Sequence, residues 1–466
     1  MSRSLFGHVV VLGGSVAGLL TAHVLTRYAR QVSVVERDEY PDGPLPRAGV
    51  PQSRHTHVLL TSGIDALRAL LPGLFPAILD AGAPCLAIPG EVGVWQANQW
   101  VSRRNPSRPV LTPTRPFLEQ SIRDIVLAGP HIGVLPATEV TGLIGGSRRI
   151  SGVVVRGRHG VHSAERELAA DLVVDATGRS SRTPEWLAQL GAPAPHEEVL
   201  DTGRGYATGV FTADSASAGD LRGFYIVPDA RQPLGTIILP AEGDRWMVTL
   251  SGPKGQAPPT DPDGFVEFAR GLPHDAPYQW LSAATPVGRM VGYRHTANRR
   301  RRYDRTARDL DGLLVIGDAA TALNPVYGQG LSVAASSALA LDRLLAGIDD
   351  LPSSFGMQRA VLRASSWAWD VATGADRPMP GATGNALHNG PLNRALDWYL
   401  RKVIEHVPGD PVVCQAFRDV LFLLAPPSSL LTKTDVVRRA LLRPAVSTPP
   451  DLPSGNRVDP TVRLTA

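Results

Sequence analysis

The sequence predicts an α/β protein in which a parallel nucleotide-binding sheet is interrupted by a second, antiparallel β-sheet. Residues 9–12 and 313–316 are continuous apolar runs, and residues 171–174 are apolar after Asp171, as expected for parallel strands buried on both faces. Between them, residues 200–300 contain short alternating strands, which predict an inserted β-sheet. Beyond about residue 350 the pattern becomes helical.

The composition is that of an ordinary globular protein. Of 466 residues, 43% are hydrophobic, and the net charge of +4 is too small for a dedicated nucleic-acid binder. Cys85 and Cys414 are too few for a disulfide framework or a thiolate metal cluster, so we expect a reducing, cytoplasmic location and no metal site. The best candidate for a membrane contact, residues 420–425, stops at Pro426, so membrane attachment is not expected.

The first βαβ unit begins with an apolar strand that runs into the turn G-G-S-V-A-G. A helix over about residues 17–28 and a second strand over 32–35 follow. Glycines in such a turn let the backbone approach a pyrophosphate, which faces the helix N-terminus. Gly13 and Gly18 keep the outer positions of the usual G-x-G-x-x-G fingerprint, whereas Ser15 replaces the middle glycine. A nucleotide site and a structural turn explain this motif equally well; in the first case we expect the Ser15 hydroxyl to donate to a phosphate oxygen.

An acidic residue strengthens the nucleotide interpretation. Glu36 ends the second strand, 18 residues beyond Gly18, where a carboxylate can accept both ribose hydroxyls of a bound adenosine. The alternative is a solvated charge at the end of a strand. The stretch that follows, residues 40–52, is rich in proline and glycine and is expected to be irregular.

Two later stretches also place small and polar residues at the ends of buried strands. Residues 171–182 end in D-A-T-G-R-S-S, a type of loop compatible with many α/β proteins. In residues 312–334, a strand delivers Asp318 to its carboxyl end, where open α/β sheets bind ligands. Pro325 fixes an irregular loop, and the glycines after it allow the backbone to lie against a flat ring. The positive end of the alanine-rich helix would stabilise an anionic reduced flavin.

Together, the motifs G-G-S-V-A-G with Glu36, D-A-T-G-R-S-S, and G-D-A followed by N-P-V-Y-G-Q-G resemble those of the class A FAD-dependent flavoprotein monooxygenases. The resemblance covers about residues 5–345. It implies a glutathione-reductase-type FAD-binding Rossmann-like domain with an inserted β-sheet substrate domain and a helical C-terminal region. The FAD-binding residues it implies are Gly13, Gly14, Ser15, Val16, Ala17, Gly18, Glu36, Arg37, Arg54, Arg115, Thr177, Gly178, Asp318, Pro325, Gly328, Gln329, Gly330 and Leu331.

The same resemblance suggests a division of the chain. The expected parts are an FAD-binding domain in three pieces (1–90, 113–195 and 301–350), a substrate-domain segment at 91–112, a β-sheet substrate-binding domain at 196–300, a helical region at 351–450 and a loose tail at 451–466.

One departure from the aromatic hydroxylases concerns the middle motif. Those enzymes carry G-A-D-G-x-x-S there, and Thr177 stands in place of the aspartate, so NADPH or NADH is expected to act either directly or through a flavin reductase. The D-A-T-G-R form is more similar to a branch that contains olefin epoxidases. Within it, residues 49–57, 298–305 and 324–330 resemble the epoxidases of polyether antibiotic pathways, of the lasalocid and monensin type.

This closer resemblance implies that a flavin C4a-hydroperoxide epoxidises an olefin in a polyketide or terpenoid intermediate. Such a reaction needs no general base, which fits the lack of a convincing triad in the sequence. Aromatic hydroxylation and double-bond reduction by the same cofactor remain alternatives. Arg54 and His57 are the candidate catalytic residues, as donors to the flavin O4 or the phosphates; a structural loop is the other interpretation. Halogenation is disfavoured, because no W-x-W-x-I-P motif is present.

Candidate partners are a small apolar olefinic or aromatic substrate, O2 and a flavin reductase. Phe224, Tyr225 and Trp246 lie on predicted strands and are candidates for the substrate cavity, although strand aromatics are more often core residues. The arginine run 299–302 could bind a nicotinamide 2′-phosphate or a reductase. We favour a solvated edge paired with Asp304 and Asp309.

Overall fold

The computed structural model describes residues 4–129, 131–158, 164–213, 221–306, 308, 310–348, 350, 353–388 and 390–449. The predicted loose tail at 451–466 and the predicted pairing of Asp309 lie outside these residues. Within them, the mixed α/β fold and the helical C-terminal region that the sequence predicts are confirmed.

The strands of the described chain are numbered in order. They are β1 Phe6–Leu12, β2 Ala29–Val35, β3 Cys85–Ile88, β4 Gly93–Gln96, β5 Gln99–Trp100, β6 Arg108–Leu111, β7 Ile132–Leu135, β8 Thr138–Gly145, β9 Ile150–Gly157, β10 Glu165–Ala169, β11 Leu172–Asp175, β12 Glu197–Leu200, β13 Gly205–Thr212, β14 Phe224–Ile226, β15 Gly235–Ala241, β16 Arg245–Gly252, β17 Thr285–Tyr293, β18 Asn298–Arg301, β19 Leu313–Val315 and β20 Thr321–Ala322.

The helices are numbered in the same way. They are α1 Val16–Leu25, α2 Thr61–Leu70, α3 Leu74–Asp80, α4 Arg115–Leu127, α5 Thr183–Gln189, α6 Pro262–Phe268, α7 Ala276–Ala283, α8 Tyr303–Thr306, α9 Gly330–Ala346, α10 Ser354–Ala364, α11 Ser366–Asp376, α12 Pro391–His406, α13 Pro411–Leu421, α14 Ser429–Thr432 and α15 Thr434–Leu442.

A five-stranded parallel sheet in the order β19-β11-β1-β2-β7 organises the nucleotide half of the molecule. Its central strands are apolar because both faces are covered: helices such as α1 and α9 pack on one face, and the antiparallel strands β8 and β9 pack on the other. Val11 of β1 stands opposite Val34 of β2 and Val174 of β11, and all three are fully buried or nearly so. Parallel strands end at the same edge of a sheet, so the loops after β1, β11 and β19 meet there. These are the three stretches that the sequence singled out.

A seven-stranded sheet forms the second half, in the order β17-β13-β16-β15-β14-β4-β5. Neighbouring strands are antiparallel except β14 and β4, which run parallel. One face packs on α6 and α7, where the ring of Phe211 stacks on that of Phe265 at 6.0 Å. The sequence did not predict these two helices, because each has only seven or eight residues within a region dominated by alternating strands.

The C-terminal helices pack against the other face of the seven-stranded sheet. One apolar cluster joins Tyr225 and Ile237 of the sheet to Val403, Cys414 and Val420 of α12 and α13. The apolar segment 420–425, considered for membrane contact, therefore lies partly in this core.

Among the residues that the structure describes, no single helix has the length and apolar character to cross a bilayer. One pair, Thr61–Leu70 with Leu74–Asp80, meets the length and composition test jointly but is bent by 118°.

A buried glutamine completes the hydrogen bonds of the edge strand β19. Gln358 of α10 is 2% exposed; its Oε1 accepts from the Val315 amide and its Nε2 donates to the Val315 carbonyl, both at 2.8 Å. The side chain therefore acts as a neighbouring strand for β19 and fixes the strand that leads to Asp318.

We expect Gln358→Ala to lower the free energy of unfolding by about 2–4 kcal/mol, because it leaves two buried backbone groups without partners. Urea unfolding followed by circular dichroism measures the change. Arg359→Ala, at the exposed neighbouring position, is the control and should change stability by less than about 0.5 kcal/mol. Equal effects of the two substitutions would contradict the proposed role of Gln358.

Candidate functional site

The turn after β1 has the geometry of a close strand-to-helix connection. Gly13 has φ +95°, and its amide donates to the Val35 carbonyl at 2.8 Å. A Cβ on Gly18 would lie 1.8 Å from the Gly13 carbonyl oxygen. Both outer glycines of the fingerprint are thus required, one by its dihedral angle and the other by close packing. Val16 and Ala17 open α1 directly after the turn.

Ser15, at the middle position of the fingerprint, binds protein groups. Its hydroxyl donates to Glu119 Oε2 at 2.7 Å and accepts from Arg115 Nη2 at 2.9 Å. That this hydroxyl donates to a phosphate stays a prediction; here its single proton is directed at Glu119. Ser15 ties the turn to α4 and places the buried Arg115 beside it.

Glu36 is buried, with 5% exposure, which excludes a solvated strand-end charge. Its Oε2 accepts from the Gly14 amide at 2.8 Å, and its Oε1 accepts from the Asp38 amide at 2.9 Å. Arg47 Nη1 lies 3.2 Å from the same Oε1. The carboxylate thus lies at the predicted end of β2, directly against the glycine turn.

Arg47 could not be predicted from the sequence, because it lies in the irregular stretch 40–52, which has no periodicity. It is buried and contacts Glu36, Asp38 and Glu119. Burial opposes its charge, but Glu119 and Glu36 together raise the pKa of Arg47 above its ordinary value. For Glu119 burial raises the pKa, and the charges of Arg115 and Arg47 overcome this and lower it. By contrast Arg37 is exposed.

The middle motif is organised by a carboxylate. Asp175 is fully buried at the end of β11 and accepts from the Thr177 amide at 2.9 Å and from its hydroxyl at 2.6 Å. Ser181 and Thr183 donate to its second oxygen at 2.5 and 2.7 Å. The Thr177 hydroxyl is therefore bound within its own loop. Gly178, with φ +77°, is the position where the chain turns.

Asp318 lies in the loop after β19, at the shared edge of the sheet. Its side chain is 35% exposed, and Arg179 Nε lies 4.0 Å from its carboxylate. Gly328 follows with φ +64°, and α9 begins at Gly330. Leu331 is buried in the core of the parallel sheet and anchors the first turn of that helix.

The residues around these loops match the chemical groups of FAD. A Cβ built on Gly178 or Gly330 would meet no atom within 4 Å, and one on Gly328 would meet only Val58, at 3.6 Å. The backbone of both loops therefore borders open space, with the amide end of a seventeen-residue helix beside it. FAD has a pyrophosphate for the glycine turn, a polar ribityl chain for Asp318 and a flat ring for this backbone cradle.

A buried network holds the N-P-V-Y-G-Q-G loop from the C-terminal region. Asp376, at the end of α11, is 1% exposed; it accepts from Asn298 Nδ2 at 2.6 Å, Asn324 Nδ2 at 3.0 Å and the Tyr327 hydroxyl at 2.6 Å. Burial raises the pKa of Asp376, and these hydrogen bonds oppose that shift. Asp376 was missed because it lies where the family resemblance fades. An isolated acidic residue at a helix end gives no sequence signal.

The loop at residues 49–57 joins the two sheets. His55 Nδ1 is 2.9 Å from the Thr208 hydroxyl, which is 2.6 Å from that of Thr249; the Thr56 hydroxyl lies 2.8 Å from the same Thr249 oxygen. Arg54 is exposed. A chain of hydroxyl groups thus joins His55 and Thr56 to β13 and β16 of the seven-stranded sheet, on the side that faces the FAD loops.

Both histidines are neutral near pH 7. Burial lowers the pKa of His55 to about 4, and burial together with the charge of Arg115 lowers the pKa of His57 to about 3. His57 Nδ1 lies 2.8 Å from the His55 carbonyl oxygen, which assigns the ring proton to Nδ1. His57 Nε2 is therefore a hydrogen-bond acceptor, not the donor that the sequence predicted.

The three aromatic residues predicted for the substrate cavity lie on two different faces of the sheet. Phe224 and Trp246 pack on the side of α6 and α7, where the indole of Trp246 is 5.0 Å from that of Trp280. Tyr225 lies on the opposite face, towards the C-terminal helices. The alternation of strand residues separates neighbours such as Phe224 and Tyr225, and the sequence could not identify the inner face.

Arg299, Arg300 and Arg301 of the arginine run lie on β18, which pairs with β12, and Arg302 follows the strand. Arg300 and Arg301 bind Glu198 and Glu197 at 2.6 and 2.7 Å. Arg302 binds Asp304 at 2.7 Å. The predicted pairing with Asp304 is confirmed at Arg302. The prediction of a solvated edge is wrong, because the side chains of Arg300, Arg301 and Arg302 are only 17%, 5% and 18% exposed and two of them pair with Glu198 and Glu197.

We expect Asp376→Leu to weaken FAD retention at least ten-fold. The substitution leaves three buried donors without an acceptor: Asn324 and Tyr327 of the N-P-V-Y-G-Q-G loop, and Asn298 of β18. Fluorescence titration of the apoprotein with FAD measures this. Asp376→Asn, which keeps acceptor capacity, should retain more affinity than the leucine variant. Asp370→Leu, six residues earlier on α11, is the control. Unchanged FAD affinity in Asp376→Leu would contradict the role of the network.

The lowered histidine pKa values also predict acid sensitivity. The unfolded chain protonates His57 near pH 6.5, whereas the folded protein does so only near pH 3. Acidification from pH 7 to 5 therefore stabilises only the unfolded chain, by about 2 kcal/mol for this residue. His57→Asn, whose amide can still donate to the His55 carbonyl, should reduce the loss of unfolding free energy over this pH range by about that amount. Urea unfolding at both pH values tests this, and an unchanged pH dependence would contradict it.

The comparisons with known proteins agree with this geometry. A family model described as FAD binding domain (FAD_binding_3) matches residues 7–348. The chain is 34% identical to Protein Rv3254 of Mycobacterium tuberculosis over 352 residues, which are 72% of this chain and 73% of that protein.

Solved structures show the same fold at low identity. The flavin-dependent brominase Bmp2 has a TM-score of 0.63 with 16% identity, covering 93% of this chain and 98% of its own. The p-nitrophenol 4-monooxygenase PnpA of Pseudomonas putida DLL-E4 also has a TM-score of 0.63, with 18% identity, covering 91% and 99%. With the family match over most of its length, the chain belongs to the FAD_binding_3 family and is a flavoprotein of the class A monooxygenase type.

Proposed function

We propose that this flavoprotein monooxygenase epoxidises an olefin in a polyketide or terpenoid intermediate. Reduced FAD supplies the activation of O2 for transfer of one oxygen atom. The polypeptide has to bind FAD at the shared sheet edge and exclude water. It also has to position the substrate against the inner face of the seven-stranded sheet, which is the face that carries Tyr225 and Ile237.

The state of the two histidines carries the choice of an olefin. Hydroxylation of a phenol benefits from a base that removes the phenolic proton. His55 and His57, on the loop between the two sheets, have pKa values of about 4 and 3 and are weak bases. The π electrons of an olefin react without loss of a proton, so this loop suits an olefin better than a phenol.

The inner sheet face supports an apolar substrate. Tyr225 of β14 and Ile237 of β15 are partly buried apolar side chains on this face. At the far edge of the same sheet, Val291 of β17 pairs with Thr208 of β13. A mostly hydrocarbon molecule with few polar groups fits this surface better than a highly charged one.

For the electron donor we propose NADPH or NADH, acting directly or through a flavin reductase. Thr177 replaces the aspartate that the aromatic hydroxylases carry, and its hydroxyl is bound to Asp175 at 2.6 Å. The paired arginines of β18 have their charges matched by carboxylates, which disfavours a dedicated 2′-phosphate site there. Comparing NADPH and NADH oxidation with and without an added flavin reductase distinguishes the routes.

Aromatic hydroxylation is the second candidate. The p-nitrophenol 4-monooxygenase PnpA shares this fold, and the FAD side of the sheet carries an aromatic group in which Tyr206 and Tyr293 lie 5.2 Å apart. Their rings could pack on an aromatic substrate. Arg54 remains a predicted catalytic donor in either reaction, whereas His57 Nε2 could take part only as a hydrogen-bond acceptor.

A direct test supplies the FAD-loaded protein with a reductant, ¹⁸O₂ and a panel of alkenes and phenols. We expect epoxides that carry one ¹⁸O atom, detected by mass spectrometry. Gly18→Ala is the control, since its Cβ would meet the Gly13 carbonyl at 1.8 Å and prevent FAD binding.

Each of the other outcomes decides against epoxidation. Hydroxylated phenol without any epoxide would favour the second candidate. A reduced alkene without oxygen uptake would identify a double-bond reductase, and FAD binding without any substrate conversion would contradict the enzymatic proposal.

A further inference from the structure

A buried arginine of the C-terminal region has two guanidinium nitrogens without a hydrogen-bond partner among the described residues. Arg418 of α13 is 1% exposed, and its Nε and Nη2 are both buried without an acceptor among the residues that the structure describes. Arg204, equally buried at 2%, donates to the Pro233 carbonyl at 2.7 Å. An unpaired buried guanidinium is costly, so Arg418 requires a different explanation from Arg204.

Two carboxylates of the C-terminal region, Asp419 and Asp376, have other partners. Asp419, the next residue, binds Arg108 at 2.6 Å. Asp376 accepts from Asn298, Asn324 and Tyr327. The charge of Arg418 is therefore left for a group that does not belong to these described side chains.

Arg418 lies between the N-P-V-Y-G-Q-G loop and the inner face of the seven-stranded sheet. One turn along α13, the Leu421 carbonyl accepts from Gln329 Nε2 of the N-P-V-Y-G-Q-G loop at 3.5 Å. Gln329 is 1% exposed, and its Oε1 also has no partner. On the sheet side burial raises the pKa of Tyr225, and the positive charges of Arg418 and Arg204 oppose this rise. The unpaired cation is thus close to both surfaces between which the substrate is proposed to bind.

The identity of the unpaired atoms indicates the chemistry of the ligand. Nε and Nη2 form the edge of the guanidinium that binds the two oxygens of a carboxylate side by side. We propose that Arg418 binds a carboxylate of the substrate, so that the substrate is an unsaturated organic acid held by its acid end on α13. This inference rests on the proposed function, because it assigns Arg418 to the substrate of that reaction.

The test uses the FAD-loaded full chain and three pairs of probes: acetate and acetamide, benzoate and benzamide, trans-cinnamate and trans-cinnamamide. Each pair keeps its shape but differs in charge. Titration at pH 7.5, followed by the change in flavin absorbance, measures the affinities. We expect at least one acid to bind ten- to hundred-fold more tightly than its amide, and Arg418→Gln to remove this preference. Arg418→Lys, which keeps the charge but not the fork, should restore part of it.

Arg438→Gln on the neighbouring α15 is the matched control, because Arg438 is half exposed and should leave the preference unchanged. Wild-type protein that binds no acid better than its amide would overturn the proposal. An unchanged preference in Arg418→Gln, even with a lowered melting temperature, would show that Arg418 is structural only. If Arg418→Gln does not fold, the wild-type preference and its reduction in Arg418→Lys carry the test.

The two proposals can fail separately. Equal epoxidation of an unsaturated acid and its amide would overturn the role of Arg418 and keep the monooxygenase. Acid-selective binding that depends on Arg418, without oxygen transfer to any alkene, would keep the carboxylate site and overturn the proposed function.

Discussion

The hydrogen bonds accepted by the Asp376 carboxylate determine how the N-P-V-Y-G-Q-G loop is held. This carboxylate belongs to the C-terminal helical region, yet its partners are Asn298 on β18 and Asn324 and Tyr327 on the N-P-V-Y-G-Q-G loop. Three parts of the chain that are distant in sequence therefore share one buried acceptor group. Such a group is costly unless fully hydrogen-bonded, so the three parts are held in one relative position.

The adenosine side uses a different kind of buried polar contact. Arg47 and Arg115 share Glu119, and Arg47 also reaches Glu36. The cations and carboxylates balance one another largely within the protein, and Ser15 connects this network to the glycine turn. The serine in place of the middle glycine thus has a structural reason: its hydroxyl links the first βαβ unit to α4.

The sequence predicted the sheet edge well because buried parallel strands are continuous apolar runs and end in loops of recognisable composition. Gly18 and Asp318 could be placed for that reason. Arg47 and Arg418 could not, because burial of an arginine depends on packing between elements distant in the chain. The predicted helix over residues 17–28 was too long, since the chain has to leave α1 after Leu25 to enter β2 at Ala29. Tyr225 could be placed on a strand but not on a face.

The parallel pairing of β14 with β4 has a consequence for the modularity of the chain. Tyr225 stands opposite Val94, so the seven-stranded sheet is completed by a segment that precedes most of it by more than a hundred residues. Residues 196–300 are consequently not a transplantable unit. A chimera that exchanged them alone for those of a relative would join two β14–β4 surfaces that had not evolved together, and specificity grafts between such flavoproteins need both segments to be moved at once.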